Sequence, residues 1–155
     1  MKTIIVIPSR WDSARLPGKP LAMIGDKPMI QHTWERACES IADEVIIATD
    51  SQLVYDTATA FGAQVILTPK CDTGTERVIV VQKLKNADFV INVQGDEPFI
   101  NPKDINEVIK IVHSHPDKVA TMTTNLTADE CKDPNVVKAI SNKIGLVGMF
   151  TRSSI

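Results

Sequence analysis

Thr3-Ile4-Ile5-Val6-Ile7-Pro8-Ser9-Arg10 is the stretch that decides the fold class of this 155-residue chain. Its β-branched run, Thr3 to Ile7, predicts a strand that ends at Pro8-Ser9-Arg10. Similar runs recur near residues 44–49, 64–68 and 88–93, with helical patterns between them. Strands that alternate with helices need crossovers and imply a parallel sheet. Between the first two strands, Met29, Ile30, Thr33, Trp34 and Ala37 form one helical stripe behind Pro28, which suits a first turn. Val54, Ala58 and Phe61 keep the period in the next interval, and Gly62 predicts its C-terminal stop. Val78-Ile79-Val80-Val81 favours a strand by residue type. Polar neighbours at Thr75, Glu76, Gln82, Lys83 and Lys85, and the crossover of about a dozen residues that parallel strands need, turn the prediction to helix.

Pro102 opens a clearer helix, with Ile105, Val108, Ile109 and Val112 on one stripe, ending near His115-Pro116. A fifth strand is predicted around Val119–Thr124. A polar connection through Asp133-Pro134 follows, then strands at 136–140 and 146–151, with Asn142-Lys143 and Gly145 suggesting a hairpin turn. The predicted class is α/β, an open, mainly parallel sheet with helices on both faces. Residues 1–155 read as one compact domain, because this length and 43% hydrophobic content suit one core. The run from Gly148 to Ile155 stops without cap, linker or polar tail, so the sequence reads as cut rather than finished.

A formal charge of −2, with basic residues not massed in one tract, argues against a nucleic-acid surface and leaves room for a local cationic pocket. Cys38, Cys71 and Cys131 are odd in number and too widely spaced for zinc, and read as reduced thiols. No run approaches the roughly 18 apolar residues of a membrane helix. A soluble, cytoplasmic protein without membrane insertion is expected.

Ligands of open parallel sheets bind beyond the carboxyl ends of strands, near the point where strand order reverses. Three such ends carry suggestive residues. The first delivers Ser9, Arg10, Arg15, Gly18 and Lys19, the second Thr49 and Asp50, and the fourth Gln94, Gly95, Asp96 and Glu97. Cations from one loop and a carboxylate from another suit a nucleoside triphosphate with a divalent ion. The three cations also fit a solvated basic loop, although Pro17, Gly18 and Pro20 stiffen it and let backbone approach a ligand. Neither a Walker A loop nor a dinucleotide fingerprint is present. Asp96 and Glu97 fit either a metal site or a turn before Pro98. Asp50 reads first as the N-cap of the next helix. Thr73, Thr75 and Glu76 fit a capping arrangement, and the Gly74 amide fits a ligand contact. His32, His113 and His115 read as structural or surface residues. Trp11 is either a loop anchor or a lid.

Together, Ile7-Pro8-Ser9-Arg10, Arg15-Leu16-Pro17-Gly18-Lys19-Pro20-Leu21, Gly25 to Ile30, Ala48-Thr49-Asp50, Thr73-Gly74-Thr75-Glu76-Arg77, Asn92 to Pro98 and Asn135-Val136-Val137-Lys138 resemble the 3-deoxy-manno-octulosonate (KDO) cytidylyltransferase family. The matches run in family order over nearly the whole chain. The resemblance implies a Rossmann-like fold of the nucleotide-diphospho-sugar transferase type. It also implies a reaction, in which CTP and KDO give CMP-KDO and pyrophosphate for lipopolysaccharide synthesis. Carried over by motif, Arg10, Arg15 and Lys19 would hold the triphosphate and stabilise departing pyrophosphate. Pro8, Ser9, Thr73, Gly74, Thr75, Arg77 and Gln94 would surround the cytidine, Asp96 would bind Mg²⁺, and Arg152 would approach the sugar acid's carboxylate.

Two departures accompany the resemblance. Family members continue past the position of Ile155 into sugar-binding and homodimer-forming segments, so the carboxyl-terminal part is expected to be missing. Cys71-Asp72-Thr73 stands where the family often has a Ser before the glycine, and Thr73 keeps the hydroxyl. The alternatives are a cytidylyltransferase for another sugar acid, of the 8-amino-KDO or sialic-acid type, and a truncated, non-catalytic CTP-binding domain.

Overall fold

Strand β1, Thr3–Ser9, is buried along its entire length. Its neighbours follow in a computed structural model that describes residues 1–11 and 16–155; Arg15, one of the three expected phosphate-binding cations, lies outside the described residues. After a short 3₁₀ turn at Lys19–Leu21 come β2 (Met23–Ile24) and β3 (Lys27–Pro28), which pair with each other. Then come α1 (Met29–Cys38), β4 (Glu44–Thr49), α2 (Gln52–Ala60), β5 (Gln64–Leu67), α3 (Gly74–Lys85), β6 (Phe89–Asn92) and α4 (Pro102–Ser114). Pro28 takes the cap position just before α1 rather than its first turn.

Strands β1, β4, β5 and β6 form one parallel sheet in the order β5-β4-β1-β6. Alternation along β1 sorts the core into two layers, since successive strand side chains point to opposite faces. Ile5 and Ile7 join Ile30, Ala37, Ala58, Ile105 and Ile109 from α1, α2 and α4. Ile4 and Val6 join Val78 and Val81 from α3. The chain adds β4 and β5 on one side of β1, then returns to add β6 on the other. That reversal sends α3 to the opposite face from α1 and α2, as crossovers of one hand require. It also puts the switch point between the carboxyl ends of β1 and β6.

Where the sequence pattern predicts one domain over 1–155, the chain divides into two compact units, Met1–Ala120 and Thr121–Ile155. The strand expected at 119–124 does not form: Val119 is 98% exposed, and the segment is irregular. β-branched composition makes a strand only where a neighbour completes the ladder, and none does so here among the described residues. The second unit's regular structure is an antiparallel hairpin of β7 (Lys138–Ser141) and β8 (Val147–Thr151). Asn142 shapes the turn, its Oδ1 accepting from the amides of Ile144 at 3.1 Å and Leu146 at 3.0 Å, and Gly145 takes the left-handed backbone with φ 81°. The Lys138 ammonium is buried beneath the hairpin and donates to the carbonyls of Asp133 and Arg152. No helix among the described residues is long and apolar enough to cross a membrane.

Candidate functional site

Past the carboxyl end of β1, Trp11 and Gly18 are tied together. The Gly18 amide donates to the Trp11 carbonyl at 3.2 Å, and Gly18 holds φ at 70°. A Cβ at Gly18 would stand only 2.9 Å from the Trp11 indole, so the ring packs directly on the glycine. Trp11 thus packs against Gly18 as well as accepting from its amide. Immediately afterwards Lys19 begins the 3₁₀ turn, where Pro20 is buried.

The end of β6 closes on the same rim. A Cβ on Gly95 would meet the Pro8 carbonyl at 3.0 Å and Ile30 Cδ1 at 3.2 Å, so glycine allows the chain to pass tight against β1 and α1. Asp96 follows, and its Oδ2 lies 2.6 Å from Lys19 Nζ with both side chains well exposed. The triphosphate cation and the metal carboxylate expected from sequence thus face each other across the switch point.

From the α3 side, Thr73 caps the helix by accepting from the Glu76 amide at 3.1 Å. The Glu76 carboxylate reaches back to the Asp72 amide at 2.9 Å. The capping arrangement is present, and Gly74 nevertheless faces the rim. Its Cβ would stand 3.3 Å from Pro8 Cγ and 3.4 Å from Gln94 Oε1.

Two adjoining cavities result, sharing Pro8, Ser9, Arg10 and Gln94. One, of about 300 Å³, is bounded by Asp72, Thr73, Gly74 and Arg77. The other, of about 440 Å³, is bounded by Lys19, Pro20, Met29, Gly95 and Asp96. Most of the residues expected from sequence converge here: Pro8, Ser9, Arg10, Lys19, Thr73, Gly74, Arg77, Gln94 and Asp96. Thr75 does not; it stands exposed on α3 and lines neither cavity. Arg152 belongs to the second unit, where its guanidinium donates to the carbonyls of Pro134 at 3.2 Å and Asn135 at 2.8 Å. The three histidines are occupied elsewhere: His32 bonds the Ile24 carbonyl, His113 the Thr3 hydroxyl and His115 the Ile111 carbonyl.

Asp50 departs from its expected role. Ser51 caps α2, accepting from the Val54 amide, while Asp50 pairs with Arg77 Nη2 at 2.6 Å. The reason is electrostatic: Arg77 is 2% exposed, and a buried guanidinium needs a counter-charge and filled donors. Its Nη1 donates to Thr68 Oγ1. Thr68, just past β5, was missed by sequence reasoning; its place at a strand end on this rim is the signal for it. One polar atom is left over, since Ser9 Oγ is buried and is the one such side-chain atom among the described residues with no hydrogen-bond partner.

Among the described residues no three His, Cys, Asp or Glu side chains cluster into a metal cage. A lone rim carboxylate such as Asp96 still fits an ion of the Mg²⁺ kind, which keeps waters and shares ligand phosphates rather than demanding a protein cage.

The cytidylyltransferase family profile matches residues 4–155. The chain is 46% identical over 160 residues to a 3-deoxy-manno-octulosonate cytidylyltransferase of Actinobacillus pleuropneumoniae, covering 100% of itself and 64% of that relative. It is 42% identical to the enzyme of the same name from Glaesserella parasuis, of which it covers 63%. A solved structure of CMP:2-keto-3-deoxy-manno-octonic acid synthetase complexed with CTP superposes with a TM-score of 0.96 at 41% identity, over 100% of this chain and 66% of that one. A cytidylyltransferase from Leptospira borgpetersenii follows at TM-score 0.66 and 26% identity, over 74% of this chain and 50% of its own. The chain thus spans a little under two thirds of the length of these curated relatives.

Proposed function

Since the chain belongs to the cytidylyltransferase family, we propose that it is the nucleotide-holding part of an enzyme that joins CTP and KDO into CMP-KDO and pyrophosphate. The observation that carries this reading is the paired cavity at the switch point, which puts Arg10 between a cation-lined lobe at Lys19 and a second lobe at Thr73-Gly74. The two lobes divide a nucleotide sensibly. The nucleoside takes the lobe beside Gly74 and Gln94, where backbone amides and a side-chain amide can read a base edge. The triphosphate takes the lobe beside Lys19 and Asp96.

The reaction is an in-line displacement in which the sugar's anomeric hydroxyl attacks the α-phosphorus and pyrophosphate leaves. Such a step needs placement and charge stabilisation more than covalent help from the protein. Arg10, with Arg15 by motif, offers planar guanidinium donors to phosphate oxygens, and Lys19 offers a point charge. As phosphates arrive, Lys19 exchanges its Asp96 partner for phosphate oxygens, and its charge then follows the developing negative charge on pyrophosphate. Asp96, once freed, is the residue that would hold Mg²⁺, and the ion would supply neutralisation of phosphate charge. Arg152 is assigned to the sugar acid's carboxylate by motif, a bidentate guanidinium being apt for it. The motif resemblance also supports a cytoplasmic enzyme that serves lipopolysaccharide synthesis and works as a homodimer at full length.

Pyrophosphate release tests the reading. The natural full-length protein, given CTP, Mg²⁺ and KDO, is expected to release pyrophosphate well above a control without sugar. A preparation that binds CTP yet releases none above that control would overturn it.

A further inference from the structure

We propose that Asp50 is a positioning residue for the nucleoside lobe: it fixes the Arg77 guanidinium, and through it the Thr73-Gly74 turn, in the place that receives the nucleoside. The inference rests on the nucleotide reading of the site and gives a role to Asp50, to which the motif resemblance assigned none. Neither Asp50 nor Thr68 lines either cavity. Both act on a residue that does.

The geometry is a clamp on three elements. The Thr68 amide donates to the Thr49 carbonyl at 2.8 Å, and the Thr68 hydroxyl lies 3.3 Å from the same oxygen, so the ends of β4 and β5 are tied together. Arg77 Nη1 donates to that hydroxyl, and Arg77 Nη2 to Asp50 Oδ2. Arg77 sits one turn into α3, with its amide 3.4 Å from the Thr73 carbonyl. Wherever the guanidinium is held, the first turn of α3 is held with it.

The Thr73 hydroxyl accepts from the helix's own Glu76 amide, a bond within α3 that does not tie the turn to the sheet. The charge of Arg77 is permanent, so it must be matched where it is buried. Asp50, whose side chain is 25% exposed, supplies the match. Asp50→Asn preserves the shape and one acceptor oxygen but removes the charge. The guanidinium is then free to lean into the lobe it lines, and the turn loses its fixed placement.

The test compares two probes by isothermal titration on the natural full-length protein, wild type and Asp50→Asn, with Mg²⁺ present. CTP fills both lobes, whereas inorganic tripolyphosphate fills only the lobe of Arg10 and Lys19. Asp50→Asn is expected to bind CTP about tenfold more weakly, in keeping with coupling inside a shared polar network, and to bind tripolyphosphate within about twofold of wild type. An unchanged CTP affinity would overturn the role, and so would an equal loss for both probes, which marks general loosening. Should Asp50→Asn fail to fold, Thr68→Val removes the clamp's second acceptor while leaving the ion pair. It is then expected to weaken CTP about threefold with tripolyphosphate unaffected, and an unaltered CTP affinity overturns the clamp. Wild-type protein that binds neither probe would overturn the nucleotide reading, and the inference with it. Wild-type binding with an indifferent Asp50→Asn sinks the positioning role alone.

Discussion

Lys19 and Asp96 lie 2.6 Å apart, but both are well exposed, and such a pair contributes at most about 1 kcal/mol to stability. Lys19→Met is accordingly expected to move Tm by no more than about 3 °C in a thermal scan. The same change is expected to weaken CTP binding by roughly tenfold or more, the equivalent of one lost charge-assisted contact of about 1.4 kcal/mol. Asp96→Asn is expected to leave Tm nearly unaltered and to flatten the dependence of CTP affinity on Mg²⁺. A titration series across Mg²⁺ concentrations in which the variant tracks the wild type would remove Asp96 from the metal site. At this scale the sequence was legible in the placing of residues at strand ends, since Arg10, Lys19 and Gln94 do line the cavities there. It was not legible where the chemistry depends on a distant partner. Asp50 resembled a cap because it stands just before a helix; its actual partner lies 27 residues further on.

Among the elements, α3 shows what decides between two local readings. Its strand-like run Val78 to Val81 buries Val78 and Val81, three apart, against one face of the sheet. The need for a crossover between parallel strands therefore overrides β-branched propensity. The Thr73 cap is expected to be worth about 1 kcal/mol, so Thr73→Ala should lower Tm by about 2–4 °C in thermal denaturation followed by circular dichroism. A variant as stable as wild type would deny the cap. Gly95→Ala is a stricter case, since the new Cβ would press at 3.0 Å on a backbone oxygen, which has little room to yield. A loss of about 1–3 kcal/mol is expected by denaturant titration, and an unchanged midpoint would mean that the β1 and β6 ends are not so tightly apposed. The segment 119–124 misled for the opposite reason. Its residues favour a strand, but a strand is a relation between two segments, and composition specifies only one of them.

On the scale of the whole molecule, the far end of the sheet is fastened by Glu44, which accepts from Lys2 at 2.7 Å and Lys85 at 2.9 Å. The hydrogen bond from Lys2, and next that from Lys85, hold the Glu44 carboxyl below its ordinary value of 4.5 against the opposing effect of burial. A carboxylate lowered on folding stabilises the protein above its unfolded value and loses that contribution as pH falls through the folded one. Glu44→Gln should therefore reduce Tm modestly at pH 7, by no more than the roughly 1 kcal/mol of a partly exposed pair. The gap from wild type should close as pH drops below 4.5, and a gap that persists there would contradict the ionic account. The alternation of strands and helices, the parallel sheet and the rim where the cavities lie were all readable from the run at Thr3 to Arg10 and the similar runs that follow it. The division at Ala120 was not, because nothing in the local pattern marks where long-range packing stops. If this rim holds a cytidine nucleotide, titration with CTP, UTP, ATP and GTP in the presence of Mg²⁺ will single out CTP. One CTP per chain is expected, with the other three at least about tenfold weaker, a discrimination of roughly 1.4 kcal/mol. Equal binding of all four, or no binding of CTP at millimolar concentration (about −4 kcal/mol), would contradict it.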